Sequence, residues 1–316
     1  MNDTNPDTGL TTSRRAILMR RASRASVLVA LILVGVKTGA WLHTGSVSLL
    51  GSLLDSFLDA LASGVTVLAV SHALAPADEE HRFGHGKAEA VAGLVQAFII
   101  TASALYLFKE AVQRFLEPAA VSNSLVGITV IVISIVLTLV LVRYQIYVAK
   151  QTKSLAVTAD SLHYRGDLLM NLGVILALVL SGMLGFTYAD PVIGVAIAAY
   201  LVKSSWAIAR QSYDMLMDRE MEEEARAKIE EIVLKHPQVR GIHDLRTRSS
   251  GIASFIQFHI ELDPGMNLSM AHTVSDRVEA SVSRAFPDAD IIIHADPAGV
   301  EEPHEVTEEG IGSRPE

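Results

Sequence analysis

The stretch Ser48-Leu49-Leu50-Gly51-Ser52-Leu53-Leu54-Asp55-Ser56-Phe57-Leu58-Asp59 decides the fold. It is apolar enough to dissolve in lipid, yet it carries two carboxylates four residues apart. In a helix that spacing puts both side chains on one face, one turn apart. An ionised Asp at bilayer depth costs ~2.5 kcal/mol or more unless it is paired or wetted. Much later in the chain a second apolar segment repeats the spacing with His163 and Asp167. Three carboxylates and one imidazole form the ligand set that a divalent metal asks for, zinc above all.

The rest of the chain supports a membrane protein. Half of its 316 residues are hydrophobic, and mean hydropathy is +0.35. The apolar residues come in blocks long enough to cross a bilayer. The formal charge of −9 is concentrated after Asp214, so the polar end is acidic. An acidic polar end argues against nucleic acid as a partner. The chain has no cysteine, which excludes thiolate metal sites, disulfides and Cys nucleophiles. Any metal must be held by His, Asp or Glu. The apolar run Ala25–Leu42 follows five arginines, contains Lys37 and shows no cleavage pattern after it. It reads as a retained first span rather than a signal peptide.

Six spans are expected at roughly 25–43, 47–73, 88–116, 123–149, 155–184 and 190–213, each able to cross ~30 Å of hydrocarbon as a helix. The links His43–Ser46, Glu117–Ser122 and Gly182–Asp190 hold no Lys or Arg. The links Ala73–Lys87 and Arg143–Ser154 hold Arg82, Lys87, Arg143, Lys150 and Lys153. Together with Arg14, Arg15, Arg20, Arg21 and Arg24 they place both termini in the cytoplasm. Lys109 and Arg114, near the outer end of span three, are expected to snorkel. On this topology Asp55 and Asp59 lie ~12–18 Å below the outer surface, and His163 and Asp167 a similar ~12–18 Å above the inner one. Those depths coincide near the midplane. The four groups meet if spans two and five pack together, with Gly51, Ser52, Ser56 and Ser63 as the small positions that permit close approach.

After Asp214 the pattern changes. Glu220–His236 and Asn267–Phe286 read as amphipathic helices. Gly241–Arg248, Ala253–Leu262 and Ala289–His294 read as strands, with a turn at Ser250-Gly251. The order α-β-β-α-β predicts a small α+β domain of the ferredoxin-like or metallochaperone-like kind. The fold class is therefore a mainly α-helical membrane protein, six transmembrane helices followed by a small cytoplasmic α+β domain. No internal repeat or low-complexity block appears.

Two further clusters have metal-ligating composition. The loop Pro76-Ala77-Asp78-Glu79-Glu80-His81-Arg82-Phe83-Gly84-His85-Gly86-Lys87 offers Asp78, His81 and His85 as three ligands facing solvent, with Glu79 and Glu80 as substitutes for Asp78. The alternative is a charged loop capping span three. The C-terminal domain offers His243, His259, His272, His294 and Asp296, and a carboxylate at Asp296 suits a bridge between two ions. His236 and His304 fit no cluster. In the span-two and span-five quartet, three carboxylates without a cation repel in low dielectric. Protons or a metal must neutralise them, and each displaces the other. His163 is the group whose ordinary titration lies nearest neutrality.

These residues resemble the cation diffusion facilitators, and closely the bacterial zinc and ferrous-iron exporters among them. The resemblance spans about Arg21 to Val300. It rests on Leu53-Leu54-Asp55-Ser56-Phe57-Leu58-Asp59, Pro76-Ala77-Asp78, Phe83-Gly84-His85-Gly86-Lys87-Ala88-Glu89, Ala159-Asp160-Ser161-Leu162-His163-Tyr164, His243-Asp244-Leu245-Arg246-Thr247-Arg248 and Ile292-Ile293-His294. It implies a homodimer in the lipid bilayer of the cytoplasmic (inner) membrane, with no protein partner beyond the second copy. It divides the chain into a disordered tail (1–20), a six-helix membrane domain (21–213), a metal-binding dimerisation domain (214–300) and a flexible acidic tail (301–316). It implies that Asp55, Asp59, His163 and Asp167 form the transport site, that Asp78, His81 and His85 form a loop site, and that His243, His259, His272, His294 and Asp296 form a two-ion site. Lys87 and Asp218 match a charge interlock at the dimer seam, and Leu162 matches a hydrophobic gate. Relatives carry Gln where this chain has Ala295. The implied activity is efflux of Zn²⁺, with Cd²⁺ or Fe²⁺ also possible, in exchange for protons, by a transporter and not an enzyme. A metal-sensing receptor without transport, or an intramembrane metalloenzyme, would use the same residues; the latter lacks a His-Glu-x-x-His signature.

Overall fold

The computed structural model describes residues 11–116, 125–184, 188–251 and 253–300. The expected tail 301–316, His304, the link Glu117–Ser122 and the centre of the link Gly182–Asp190 lie outside the described residues. The chain divides into two units. One comprises the residues up to Arg219 together with Arg248–Ser254, and the other Glu220–Thr247 together with the residues from Phe255 onward.

The first unit holds six long apolar helices: α1 (Thr12–Thr44), α2 (Val47–Ala73), α3 (Ala88–Leu116), α4 (Leu125–Thr152), α5 (Leu155–Leu184) and α6 (Ala189–Leu216). Each has the length and composition of a membrane span. Their surface is inverted relative to a water-soluble bundle. Leu28, Leu31, Leu54, Leu58, Leu61, Leu68, Phe98 and Leu105 point outward, while Ala22, Ser26, Ala30, Ala62, Ser63, Thr66, Gln96 and Ala97 are buried between helices. Small and polar side chains inside, bulky apolar ones outside, is the packing that lipid favours.

Helix α1 starts earlier than the sequence reading placed it, within the segment expected to be a loose tail. Thr11 caps it by accepting a hydrogen bond from the Arg14 N–H at 3.3 Å. Arg15 is buried and donates to the Thr152 carbonyl oxygen at the end of α4. Its arginines therefore lie on a helix. Gly45, at φ 63°, ends α1 in a left-handed cap. The start of α5 is capped by a different helix: buried Glu89 of α3 accepts from Ser154 Oγ at 2.7 Å and from the Ala156 N–H at 3.2 Å. Arg114 does not stand alone at the end of α3. Its guanidinium meets Asp190 at 2.7 Å and Glu110 at 3.3 Å. Of the small positions expected to draw α2 close to its neighbours, Ser56 and Ser63 are buried, but Gly51 is exposed and faces open space.

The C-terminal unit is α7 (Glu223–Leu234), β1 (Gly241–Ser250), β2 (Ala253–Leu262), α8 (Leu268–Ala285) and β3 (Ala289–Pro297), with the sheet order β1-β2-β3. Period-two alternation sends Ile256, Phe258, Ile260 and Leu262 into a core shared with Ile229, Val233, Val274, Val278 and Val282 of the helices. The residues between them on β2, including His259, go to the open face. Asp244 breaks the alternation of β1 with φ 49°, so His243 stays on that face while Leu245 turns inward.

Candidate metal centres

The intramembrane site forms where α2 crosses α5. Asp59, His163 and Asp167 each present a ligand atom within 4.8 Å of the others. His163 Nε2 lies 2.9 Å from Asp59 Oδ1 and 4.0 Å from Asp167 Oδ2. Asp55 sits one turn earlier on α2 with an exposed carboxylate and falls outside this trio, although its charge acts on that of Asp59. The trio is oriented by a buried polar network. Asp160, fully buried one turn before His163, accepts from Gln145 Nε2 of α4 at 2.6 Å. Thr66 of α2 bridges Asp160 and Gln96 of α3. Tyr164 bonds Ser63 Oγ at 2.8 Å and donates to the Ser26 carbonyl oxygen of α1 at 3.2 Å. Four helices thus fix the rotation of α5, and with it the aim of His163. Leu162, on another face of α5, is buried in an apolar cluster with Leu155, Ala159, Leu201 and Ile208.

The loop between α2 and α3 gathers Asp78, His81 and His85, again within 4.8 Å. Asp78 folds the loop around itself. Its Oδ1 accepts the backbone N–H of His81 at 2.6 Å and of Glu80 at 3.0 Å, and its Oδ2 lies 3.3 Å from His85 Nε2. The His81 N–H is the chief reason the Asp78 carboxyl is held below the usual carboxylate range. Gly84, at φ 76°, makes the turn that returns His85 to Asp78. Glu79 and Glu80 point to solvent and do not join the cluster. His72, from the last turn of α2, packs edge-on to the His85 ring at 4.4 Å.

On the open face of the C-terminal sheet, His243, His259 and Asp296 form the third cluster. Asp296 is buried and uses both oxygens. Its Oδ2 lies 2.8 Å from His259 Nδ1 and 3.6 Å from His243 Nε2, and its Oδ1 lies 3.0 Å from His294 Nε2. One carboxylate serving separate imidazole sets is the arrangement a two-ion bridge needs. His272 lies apart from it within this one chain, exposed on α8 and facing Asp276 at 3.6 Å. Two carboxylates the sequence reading passed over stand at the edge, Asp244 at 3.8 Å from His259 Nε2 and Glu261 at 3.4 Å from His243 Nδ1. Their proximity in sequence to His243 and His259 was the available signal. Lys87 and Asp218 pair within this one chain at 2.9 Å, and Arg248 joins them at 3.3 Å.

Both parts of the chain, the six-helix bundle and the C-terminal domain, match known families. Residues 23–217 match the model of the cation efflux transmembrane domain, and residues 221–298 match that of the cation efflux protein cytoplasmic domain. The chain belongs to the cation efflux family. It is 46% identical over 290 residues to the cation-efflux pump FieF of Shewanella oneidensis, covering 92% of this chain and 98% of that one. The corresponding pump of Serratia proteamaculans is 43% identical over 285 residues, covering 90% and 95%. That of Pectobacterium atrosepticum is 45% identical over 282 residues, covering 89% and 94%. Among solved structures, a nickel form of the MamM C-terminal domain is similar, at 26% identity and a TM-score of 0.23 over 24% of this chain and 98% of that one. Membership of the family makes the chain a multi-pass membrane transporter for divalent metal cation efflux and sets aside the metalloenzyme and receptor readings.

Proposed function

We propose that the chain exports Zn²⁺ from the cytoplasm in exchange for protons, with Cd²⁺ and Fe²⁺ as further cargoes. The observation that carries this reading is the Asp59–His163–Asp167 trio, three ligands from two helices inside the membrane-spanning bundle. Carboxylate and imidazole ligands in small number suit the tetrahedral preference of zinc better than the six-oxygen shells of harder ions. Asp55, one turn away, completes the quartet when cargo is bound. Metal enters from the cytoplasm, the bundle re-packs to face outward, and protons on the site release the ion.

The functional unit in this reading is a homodimer with both termini in the cytoplasm. The Asp296 cluster takes up metal when cytoplasmic levels rise and draws the two C-terminal domains together. The Asp78 cluster, facing solvent next to the bundle, captures ions near the entrance. The Lys87–Asp218 pair serves as a charge interlock at the dimer seam, and Leu162 as a hydrophobic gate.

The test is metal flux into proteoliposomes under an imposed pH gradient, with Zn²⁺, Cd²⁺, Fe²⁺ and Mn²⁺ offered in turn. Zinc flux that needs the gradient and disappears in Asp59→Ala and His163→Ala is the expected result. Flux that persists in both variants would remove the trio from the transport path.

A further inference from the structure

Lys37 lies within α1, and its residue is only 9% exposed. A buried ammonium in a membrane-spanning bundle needs hydrogen-bond acceptors and compensating charge. The acceptors are on α2: Lys37 Nζ donates to the Ser52 carbonyl oxygen at 3.0 Å and to Ser56 Oγ at 2.6 Å. Those residues occupy the same turns as Asp55 and Asp59. The compensating charge comes from the transport site itself, since the carboxylates of Asp59, Asp167 and Asp55 all act on Lys37. Among the described residues, none of the three takes Lys37 in a direct ion pair. The ammonium is held by the backbone and a hydroxyl of α2, beside the ligands and not on them.

Counted over the three candidate carboxylate ligands, His163 and Lys37, and leaving out Asp160, whose oxygens are already held by Gln145 and Thr66, the charges have a definite balance. Three ionised carboxylates carry three negative charges, Lys37 returns one, and His163 is neutral when it ligates. What remains is two negative charges, the amount a single divalent cation cancels. We propose that Lys37 sets the charge of the transport site, making the loaded site neutral for a divalent cation and selecting divalent over trivalent ions. Without Lys37 the loaded site would keep one uncompensated negative charge in a low-dielectric interior, and a trivalent ion would balance it better. This inference rests on the transport-site reading above. A plain clamp between α1 and α2 would need only the N–H donors of Lys37, not its charge, so the two roles separate experimentally.

The experiment measures Tb³⁺ displacement of radioactive Cd²⁺ from the full-length protein, in a background carrying Asp78→Ala and Asp296→Ala to silence the other clusters. Lys37→Gln keeps an N–H donor and removes the charge, whereas Lys37→Arg keeps the charge. The expected result is that Tb³⁺ displaces Cd²⁺ at a concentration at least about ten-fold lower in Lys37→Gln, while Lys37→Arg matches the parent. The double variant Lys37→Gln/Asp55→Asn, returned to two net negative charges, is expected to regain the parent's ratio of Tb³⁺ to Cd²⁺ affinity while binding both ions more weakly, because Asp55 is itself a ligand in the transport-site reading. Unchanged Tb³⁺ competition in Lys37→Gln, or the same shift in the Gln and Arg variants, overturns the proposal. If Lys37→Gln alone does not fold, recovery of folding in the double variant supports it, and failure of the double variant or of Lys37→Arg overturns it. Asp59→Ala in the same background keeps the two readings apart. Cd²⁺ binding that survives Asp59→Ala defeats the transport-site reading, whereas loss there with inert Lys37 variants defeats this inference alone.

Discussion

At the scale of single residues, Asp160 carries a task that its neighbours do not share. It is fully buried, and its two oxygens hold Gln145 of α4 and Thr66 of α2. Asp160→Ala leaves those groups without their acceptor in a site that water does not reach, at a cost of ~1–3 kcal/mol for a buried unsatisfied polar group. The expected outcome is a lower melting temperature in detergent and weakened zinc flux, because His163 loses its fixed rotation; Asp160→Asn should fall between the two. Asp218 gives a prediction in pH. Burial alone would raise its carboxyl, but the hydrogen bonds from Lys87 and Arg248 outweigh it and hold the group below the usual range. A lowered native value contributes stability that is complete above the unfolded carboxylate's ~3.9 and is lost as pH falls through the native one. The difference in melting temperature between wild type and Asp218→Asn should therefore stay constant from about pH 8 to about pH 5 and close only in stronger acid. It should be small, since both partners are partly exposed. A gap that closes near neutrality would show that another group governs it. The Asp59–His163–Asp167 trio was legible in the sequence because its members recur four residues apart along single helices, although the same spacing also pointed to Asp55, which stands outside the trio. Lys37 and the Gln145 partner of Asp160 were not, because their roles arise only when helices distant in sequence meet.

At the scale of elements, α3 and α6 pack closely through glycines that no motif announces. A Cβ at Gly93 of α3 would collide with Ser212 Oγ of α6 and press on Leu155 Cγ at 3.3 Å, and one at Gly194 of α6 would stand 3.2 Å from Ala111 Cβ. Gly93→Val should cost ~1–3 kcal/mol by overpacking, read as a fall in melting temperature. Gly64→Ala, with open space around it, should be neutral or slightly stabilising. Equal effects from the two would mean that α3 and α6 do not rely on this contact. The strand alternation of the C-terminal domain could be read directly, since Ile256, Phe258 and Ile260 face inward with period two. The displacement at Asp244 could not, because a positive φ in a strand leaves no periodic trace. That residue and the buried Asp296 give the sheet its metal-ready face. Asp296→Ala should lower the zinc bound per chain while leaving flux at saturating zinc intact, by equilibrium dialysis and proteoliposome assay of the same preparation. Abolished flux with normal folding would instead tie the sheet directly to the transport path.

At the scale of the whole molecule, orientation follows from the placement of positive charge. Arg14, Arg15, Arg20, Arg21 and Arg24 lie on the first half of α1, Arg82 and Lys87 between α2 and α3, and Arg143, Lys150 and Lys153 around the α4–α5 turn. All three regions fall at the same end of a six-helix alternation. The opposite end is marked on α1 by Thr44 and Gly45 and on α6 by Asp190, and the Arg114 charge there is neutralised: its guanidinium is bound by Glu110 and Asp190. Lys and Arg close to the ends of the spans are retained on the cytoplasmic side during insertion, and the larger cluster sets the orientation. The chain has no cysteine, so single cysteines report accessibility without background. Thr44→Cys should react with a membrane-impermeant maleimide in intact cells. Glu79→Cys and Gln151→Cys should react only after permeabilisation. Arg114→Ala, which leaves Asp190 unpaired, should not invert the pattern, because the charge that orients the bundle lies at the other end. Labelling of Glu79→Cys in intact cells would reverse the topology. It would place the Asp78 cluster and the C-terminal domain outside, where they could not sense cytoplasmic metal, and transport would have to run inward for the same gradient.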